Sequence, residues 1–238
     1  MKSYIDSFLE IIYPEKNTCF ICETHDEAIG DKYICPDCKK KIKKLLPPLC
    51  AKCSKPMDYN SINNLCRECY NNKRYFEMCK APYAYDGLIK KAIYIYKYYN
   101  KPYFYKFFGS CLVNYMKRNN YTNFDYIAAV PLHFSKMRKR GYNQSELLAR
   151  NISQKLSIPY VDALKRSKKT LKQSEQNKEE RRKNLNDAFT VKSPAKIITN
   201  KSILLVDDIY TTGATVNECS KTLIRYGAGR VFVITIAR

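Results

Sequence analysis

Between residues 19 and 69 the chain repeats a strict cysteine pattern. Cys19 and Cys22 form one C-x2-C knuckle and Cys35 and Cys38 a second. Cys50, Cys53, Cys66 and Cys69 repeat the arrangement, each 31 positions after its counterpart. Such a register marks two copies of one small unit. A unit of roughly 30 residues has too little core to fold unaided, and four thiolates around a tetrahedral zinc supply the missing free energy. The pattern predicts two structural zinc ions. A fully ligated ion keeps no open position, which argues against catalysis by this metal. Sequential pairing (19/22/35/38 and 50/53/66/69) follows from the repeat, whereas interleaved pairing uses the same spacings differently. His25, in ETHDEAIG, is a possible substitute ligand but reads more simply as a solvated side chain.

Of the 11 cysteines, the other three, Cys79, Cys111 and Cys219, have no knuckle spacing and read as small buried side chains. The 238 residues therefore divide into a cysteine-rich head, residues 1–75, and an ordinary body, residues 76–238. No apolar stretch reaches the roughly 18 to 20 residues of a membrane span, and Asp6 and Glu10 interrupt what would be an export signal's core. A cytoplasmic protein is the expectation, and in a reducing cytosol paired cysteines hold metal rather than form disulfides. The formal charge is +21; two zinc ions on eight thiolates lower it only to about +17. Such a chain attracts polyanions. The scarcity of glycine, 7 residues, beside abundant lysine and tyrosine suggests that part of the charge is compositional.

In the body, strand and helix signals alternate. YFEMCKAPYAYDG reads as extended and closes on the Asp86-Gly87 turn. LIKKAIYIYKYY sets Leu88, Ile89, Ala92, Ile93 and Tyr96 at helical spacing, and a second helix is expected from about Tyr103 to Arg118. Aromatic side chains on such helices suit base stacking, but a helical aromatic stripe is more often core. FDYIAAVP, KSILLVDD and GRVFVITIAR read as buried strands, QSELLARNISQKL and the segment after Thr212 as helices, the latter ending at a left-handed Gly227. This alternation predicts an α/β fold whose parallel sheet carries helices on both faces and binds ligands beyond the strands' carboxyl ends. Near residues 166–185 the chain runs polar without periodicity, as a functional lid or a solvated loop does.

ILLVDDIYTTGAT carries the chemistry. A strand delivers Asp207 and Asp208 to its end, and Thr211, Thr212, Gly213, Ala214 and Thr215 then offer hydroxyls and backbone N–H groups before a helix N-terminus. That turn is a phosphate cradle, though not the nucleotide P-loop, which requires G-x4-G-K-[ST]. Carboxylates repel phosphate, so the acidic pair addresses sugar hydroxyls or a magnesium ion. The bland alternative is an acidic pair that merely caps a helix.

The segment resembles the phosphoribosyl pyrophosphate (PRPP) motif of type I phosphoribosyltransferases. With the paired C-x2-C head, PLHFSKMRKRGYNQSELLA, RSKKTLKQSEQNKEERRKNLNDAF and the terminal ITIAR, the whole chain is similar to one branch, the ComF family of competence-associated proteins. Tyr142 stands where the family has phenylalanine in RGFNQ, and Ser54 where it often has glycine. The resemblance implies a Rossmann-like type I phosphoribosyltransferase sheet behind an N-terminal zinc-binding head. It also implies a PRPP site in which Asp207 and Asp208 hold the ribose hydroxyls and Thr211 to Thr215 the 5-phosphate. His133, Arg138 and Arg140 then face the pyrophosphate, magnesium screens its charge, and Lys169 to Arg182, with Lys172, Arg181 or Arg182, forms the lid. In this enzyme class catalysis rests on positioning and leaving-group stabilisation.

Two functions fit. One is an active phosphoribosyltransferase with an unidentified acceptor. The other is a DNA-handling protein of competence that binds PRPP or a related ribose phosphate, while KMRKR, KRSKK and KEERRK contact single-stranded DNA. A third role, docking of competence-machinery proteins, falls to the zinc knuckles.

Overall fold

A computed structural model describes residues 17–58, 62–99, 101–167, 187–192 and 195–238. After two short head helices, α1 (Pro36–Lys41) and α2 (Arg67–Asn71), come β1 (Cys79–Lys80), α3 (Gly87–Tyr98), α4 (Phe104–Arg118), β2 (Tyr126–Ala129), α5 (Phe134–Arg140), α6 (Gln144–Leu156), β3 (Leu164–Arg166), β4 (Phe189–Val191), β5 (Ser202–Ile209), α7 (Ala214–Arg225) and β6 (Arg230–Ala237). Four strands form one parallel sheet in the order β1-β6-β5-β2. β3 and β4 make a separate antiparallel pair on either side of the expected lid. The lid itself, with Lys169, Lys172, Arg181 and Arg182, lies outside the described residues.

The apolar runs become central strands because both sheet faces are covered. Leu204 and Val206 of β5 and Ile234 and Ile236 of β6 pack with α3, α4 and α6. Ile203, Leu205, Val231 and Val233 pack with Val216, Cys219 and Leu223 of α7 on the other face. The helices approach closely: a Cβ on Gly109 of α4 would collide with the Asn151 side chain of α6, whose Cγ would lie only 2.9 Å away. α7 stops as its sequence demands, with Gly227 at φ 98 and its N–H donating to Ile224 O at 3.0 Å. The aromatic stripe divides: Tyr96, Phe104 and Phe108 are core, whereas Tyr94, Tyr98 and Tyr99 are exposed.

The cysteine repeat is also a backbone repeat. Glu23 and Ser54 occupy the left-handed region at φ 63 and 56, as do Tyr33 and Asn64 at φ 57 and 55. Cys19 N donates to Thr24 O and Cys50 N to Lys55 O, at 2.9 and 2.8 Å; Phe20 N donates to Tyr33 O and Ala51 N to Asn64 O, at 3.0 and 2.9 Å. Ser54 adds a bond that glycine lacks, from its hydroxyl to Cys79 O in β1 at 2.8 Å.

The described part of the head is built into the body. Cys19, Cys35 and Cys38 belong to the core on the α3/α4/α6 side, and Cys50, Cys53, Cys66 and Cys69 to the core on the α7 side. The two units thus straddle the sheet's β1 edge. The connection between them pairs with that edge, Leu45 N donating to Pro82 O and Ala84 N to Lys43 O, both at 3.0 Å. Among the described residues no helix is long and apolar enough to cross a membrane. Cys79 and Cys219 are fully buried and Cys111 partly so, as expected of inert thiols; burial pushes the Cys79 and Cys219 thiols up. His25 is exposed, 3.3 Å from the Thr18 hydroxyl.

Candidate functional site

β5 ends at Ile209, and a tight turn leads into α7. Asp207, Ile209, Tyr210, Thr211, Thr212, Gly213, Ala214, Thr215 and Val216 line one hollow there. Gly213 caps α7 with φ 73, which lets the turn present the helix's first N–H groups. Thr212 Oγ1 accepts from Ala214 N at 3.3 Å. Asp207 and all five turn residues thus converge at the carboxyl end of a central strand, whereas Asp208, the other half of the sequence-predicted acidic pair, is outside that lining and pairs with Lys97.

The two carboxylates have different partners. Asp207 Oδ1 accepts from the Ser145 hydroxyl at 2.8 Å and from Asp208 N at 2.9 Å. Burial, and then the neighbouring Asp208 charge, push its carboxyl up to about 7, against the pull of Lys97 and Ser145. Asp208, 9% exposed, pairs through Oδ1 with Lys97 Nζ at 2.8 Å. Burial works against the Lys97 ammonium, but the Asp208 charge and hydrogen bond, together with the Asp207 charge, outweigh it and the net shift is upward. These bonds use Oδ1 of each carboxylate and leave Oδ2 outside them.

Lys97 was not apparent as a site residue, although a signal existed. It lies four residues after Ile93, which lies four after Ile89, so a lysine occupies a core row of α3. Ser145 is a second omission. A brace of hydrogen bonds around the Arg140-Gly141-Tyr142-Asn143-Gln144 segment holds both in place. Asn143 caps α6 by accepting from Ser145 N at 3.1 Å and donates to Val130 O, at the end of β2, at 3.0 Å. The Tyr142 hydroxyl donates to Tyr96 O at 2.6 Å, and the Tyr96 hydroxyl to Gln144 O at 2.9 Å. This motif therefore fixes the end of α3, with Lys97, against the start of α6, with Ser145.

Cations gather near this end of the sheet. Lys136 is pushed down by burial and by the nearby Arg166, Arg140 and Lys97 charges. Arg166, at the end of β3, is pushed down by burial, with Cys219 and then Asp207 pulling the other way. Of the three residues expected near the pyrophosphate, Arg140 joins this group, donating to Gln144 Oε1 at 2.6 Å. Arg138 is exposed. His133 caps α5, its Nδ1 accepting from Ser135 N at 3.2 Å.

In the head, the sulfurs of Cys19, Cys22, Cys35 and Cys38 lie within 4.8 Å of one another, as do those of Cys50, Cys53, Cys66 and Cys69. Pairing is sequential. Cys22–Cys35 and Cys53–Cys66 Sγ separations are 3.7 Å, close to the about 3.8 Å edge of a tetrahedron with 2.3 Å zinc–sulfur bonds. Both donor sets fit zinc. The second is fully buried, and Arg238, the last residue, donates to Cys53 Sγ at 3.2 Å.

A double zinc ribbon domain model matches residues 8–70 and a phosphoribosyl transferase domain model residues 143–238. Competence protein F of Haemophilus influenzae is 30% identical over 215 residues, which is 88% of this chain and 92% of the relative. Competence protein ComFC of Bacillus subtilis is 24% identical over 87% of this chain and 85% of its own length. DNA utilization protein YhgH of Escherichia coli is 36% identical over 48% of this chain and 49% of its own. An N-terminal double cysteine ribbon, a parallel sheet closing on a phosphoribosyltransferase-type turn, and this likeness along nearly its full length place the chain in the ComF family of competence-associated, phosphoribosyltransferase-like proteins.

Proposed function

We propose that this chain binds PRPP or a closely related ribose phosphate and acts in uptake of transforming DNA, in the cytoplasm and in contact with single-stranded DNA. Residues 1–75 serve as a zinc head built into the phosphoribosyltransferase-like body, residues 76–238. Asp207 and Asp208 accept hydrogen bonds from the ribose hydroxyls, and the turn from Thr211 to Thr215 takes the 5-phosphate. Lys97, Lys136, Arg140 and Arg166 face the pyrophosphate, with His133 and Arg138 at the periphery. Magnesium arriving with the ligand would screen the pyrophosphate charge there, with Asp207 and Asp208 the nearby residues able to hold it.

One observation carries the ligand: a buried acidic pair abuts a turn of small residues at a helix N-terminus, with cations gathered beside it. Sugar hydroxyls and phosphate make opposite demands on a site, and these two halves meet them separately. The DNA role is supported by the printed names of the relatives, which speak of competence and DNA utilization, and by the charge of +21. Calorimetry with PRPP and magnesium tests the pocket: the wild type binds, and Asp207→Ala/Asp208→Ala does not. Equal binding by both sinks the assignment. Single-strand binding should weaken steeply with salt, because each phosphate contact releases counterions.

A further inference from the structure

The outward face of α3 has a composition that stability does not explain. Tyr94, Tyr98 and Tyr99 are 52%, 63% and 61% exposed, on a helix whose opposite face, Ile89, Ala92, Ile93 and Tyr96, is fully covered. Their rings cluster, with centroids 4.9 Å apart for Tyr94 and Tyr98 and 5.9 Å for Tyr94 and Tyr99. Exposed Lys90 and Lys91 precede Tyr94 by four and three residues, so they share its face. Arg140, from α5, lays its guanidinium 5.2 Å from the Tyr98 ring centroid. Neither α3 nor α5 contains an acidic residue, and α5 adds Phe134, 74% exposed, to a run of lysines and arginines.

We infer that this face is a stacking platform for single-stranded nucleic acid, with bases on Tyr94, Tyr98 and Tyr99 and backbone phosphates on Lys90 and Lys91. Aromatic rings take any unpaired base on its π-face, and cations alternating with them follow the sugar–phosphate chain. The exposed Asp86 that caps α3 one turn before Lys90 is paired with Lys43 at 2.6 Å, so the rim is cationic on balance. A neutral protein surface docking on the rings gains little from it, whereas a polyanion pairs with its lysines. A duplex hides its base faces, so it gains only the phosphate contacts. The platform adjoins the ribose-phosphate hollow through α3 itself, since Lys97 between Tyr96 and Tyr98 reaches Asp208. It rests on the DNA-contact half of the function proposed above and is independent of the ribose-phosphate half.

The test uses the zinc-loaded full chain and fluorescence anisotropy with a labelled oligothymidylate of about 20 nucleotides, long enough for one groove, and a duplex of equal length. Replacing all three tyrosines by alanine should weaken single-strand binding at least about tenfold, with the slope against salt unchanged because the phosphate contacts remain. Replacing them by phenylalanine should stay within about threefold, since the ring face is kept. PRPP binding by calorimetry should be the same in all three proteins, which also verifies that the variants are folded. An alanine triple variant that binds the single strand as the wild type does overturns the platform, as does a wild type that binds duplex as tightly as single strand. Loss of PRPP binding in the wild type would instead strike the ribose-phosphate pocket and leave the platform standing.

Discussion

Gly213→Ala probes the turn at its tightest point. Gly213 sits at φ 73, in the left-handed region, and a Cβ built there overlaps Oη and Cζ of Tyr210 and comes within 2.7 Å of Cε2. Two costs add. A non-glycine residue in this conformation costs roughly 1–2 kcal/mol. The ring must also move, yet Tyr210 is 2% exposed, with Phe76 meeting it edge-on at 6.3 Å and Arg238 over its face at 5.1 Å. Overpacking of such a site costs roughly 1–3 kcal/mol. Gly213→Ala should therefore lose about 2–5 kcal/mol in urea unfolding of the zinc-loaded protein, and PRPP affinity with it, because the displaced ring lines the same hollow. In a Tyr210→Ala background the substitution should cost only the conformational part, about 1–2 kcal/mol. A loss below about 1 kcal/mol in the wild type, or equal losses in both backgrounds, would refute the reasoning that ring and turn are packed as one unit.

Asp207 sets a pH dependence of determinate sign. Its carboxyl releases a proton near 4 when unfolded but only at about 7 when folded, so its contribution makes stability fall as pH rises through that window. Asp207→Asn should flatten that part of a melting-temperature profile, and an unchanged profile contradicts the assignment. Lys97→Met strands the buried Asp208 charge and should cost stability toward the lower end of the roughly 3–5 kcal/mol seen for broken buried pairs, because both partners keep some exposure. Adding Asp208→Asn should recover part of that loss in urea unfolding, and no recovery would mean the pair is not what Lys97 supports. Elemental analysis should find two zinc ions per chain, and a strong chelator should unfold the head. Fewer than two ions ends the two-site description.

The elements that announced themselves in sequence are those whose burial is decided within one segment. β5 and β6 are continuous apolar runs because both sheet faces are covered, and α7 carries Val216, Cys219 and Leu223 at helical spacing ahead of its glycine stop. The cysteine repeat was legible down to its backbone, since the same ligand spacing imposes the same turns. β3 and β4 were not, because three residues each leave no period to read. The polar run they border begins at Arg166 in the sequence, yet Arg166 ends a strand and lies close enough to feel the Asp207 charge. In α3 the pattern placed the core correctly but said nothing about the outer tyrosines, which the same spacing equally permits. Asp207 and Asp208 could be found by type and order, but their partners could not. Ser145 and Lys97 reach them across the fold, and no local rule records such contacts.

The second cysteine unit also raises an electrostatic question that its position answers. Four thiolates on one zinc carry a net charge of about −2, an awkward neighbour for a hollow meant to hold phosphate. Arg238 bonds to Cys53 and covers the face of Tyr210, which lines the hollow, while Arg74 is raised against burial by Tyr210, Cys69 and Cys53. Two guanidinium groups therefore stand where the cluster's charge would otherwise extend toward the turn. Neutralising the cluster through Arg238 ties the chain's last residue, the zinc unit and the ring beneath Gly213 into one contact sequence. Among the described residues the first unit, packed on the opposite face among α3 and α4, has no such route. Loss of metal from the second unit should accordingly disturb the turn directly, whereas loss from the first must act through the helices that carry Lys97.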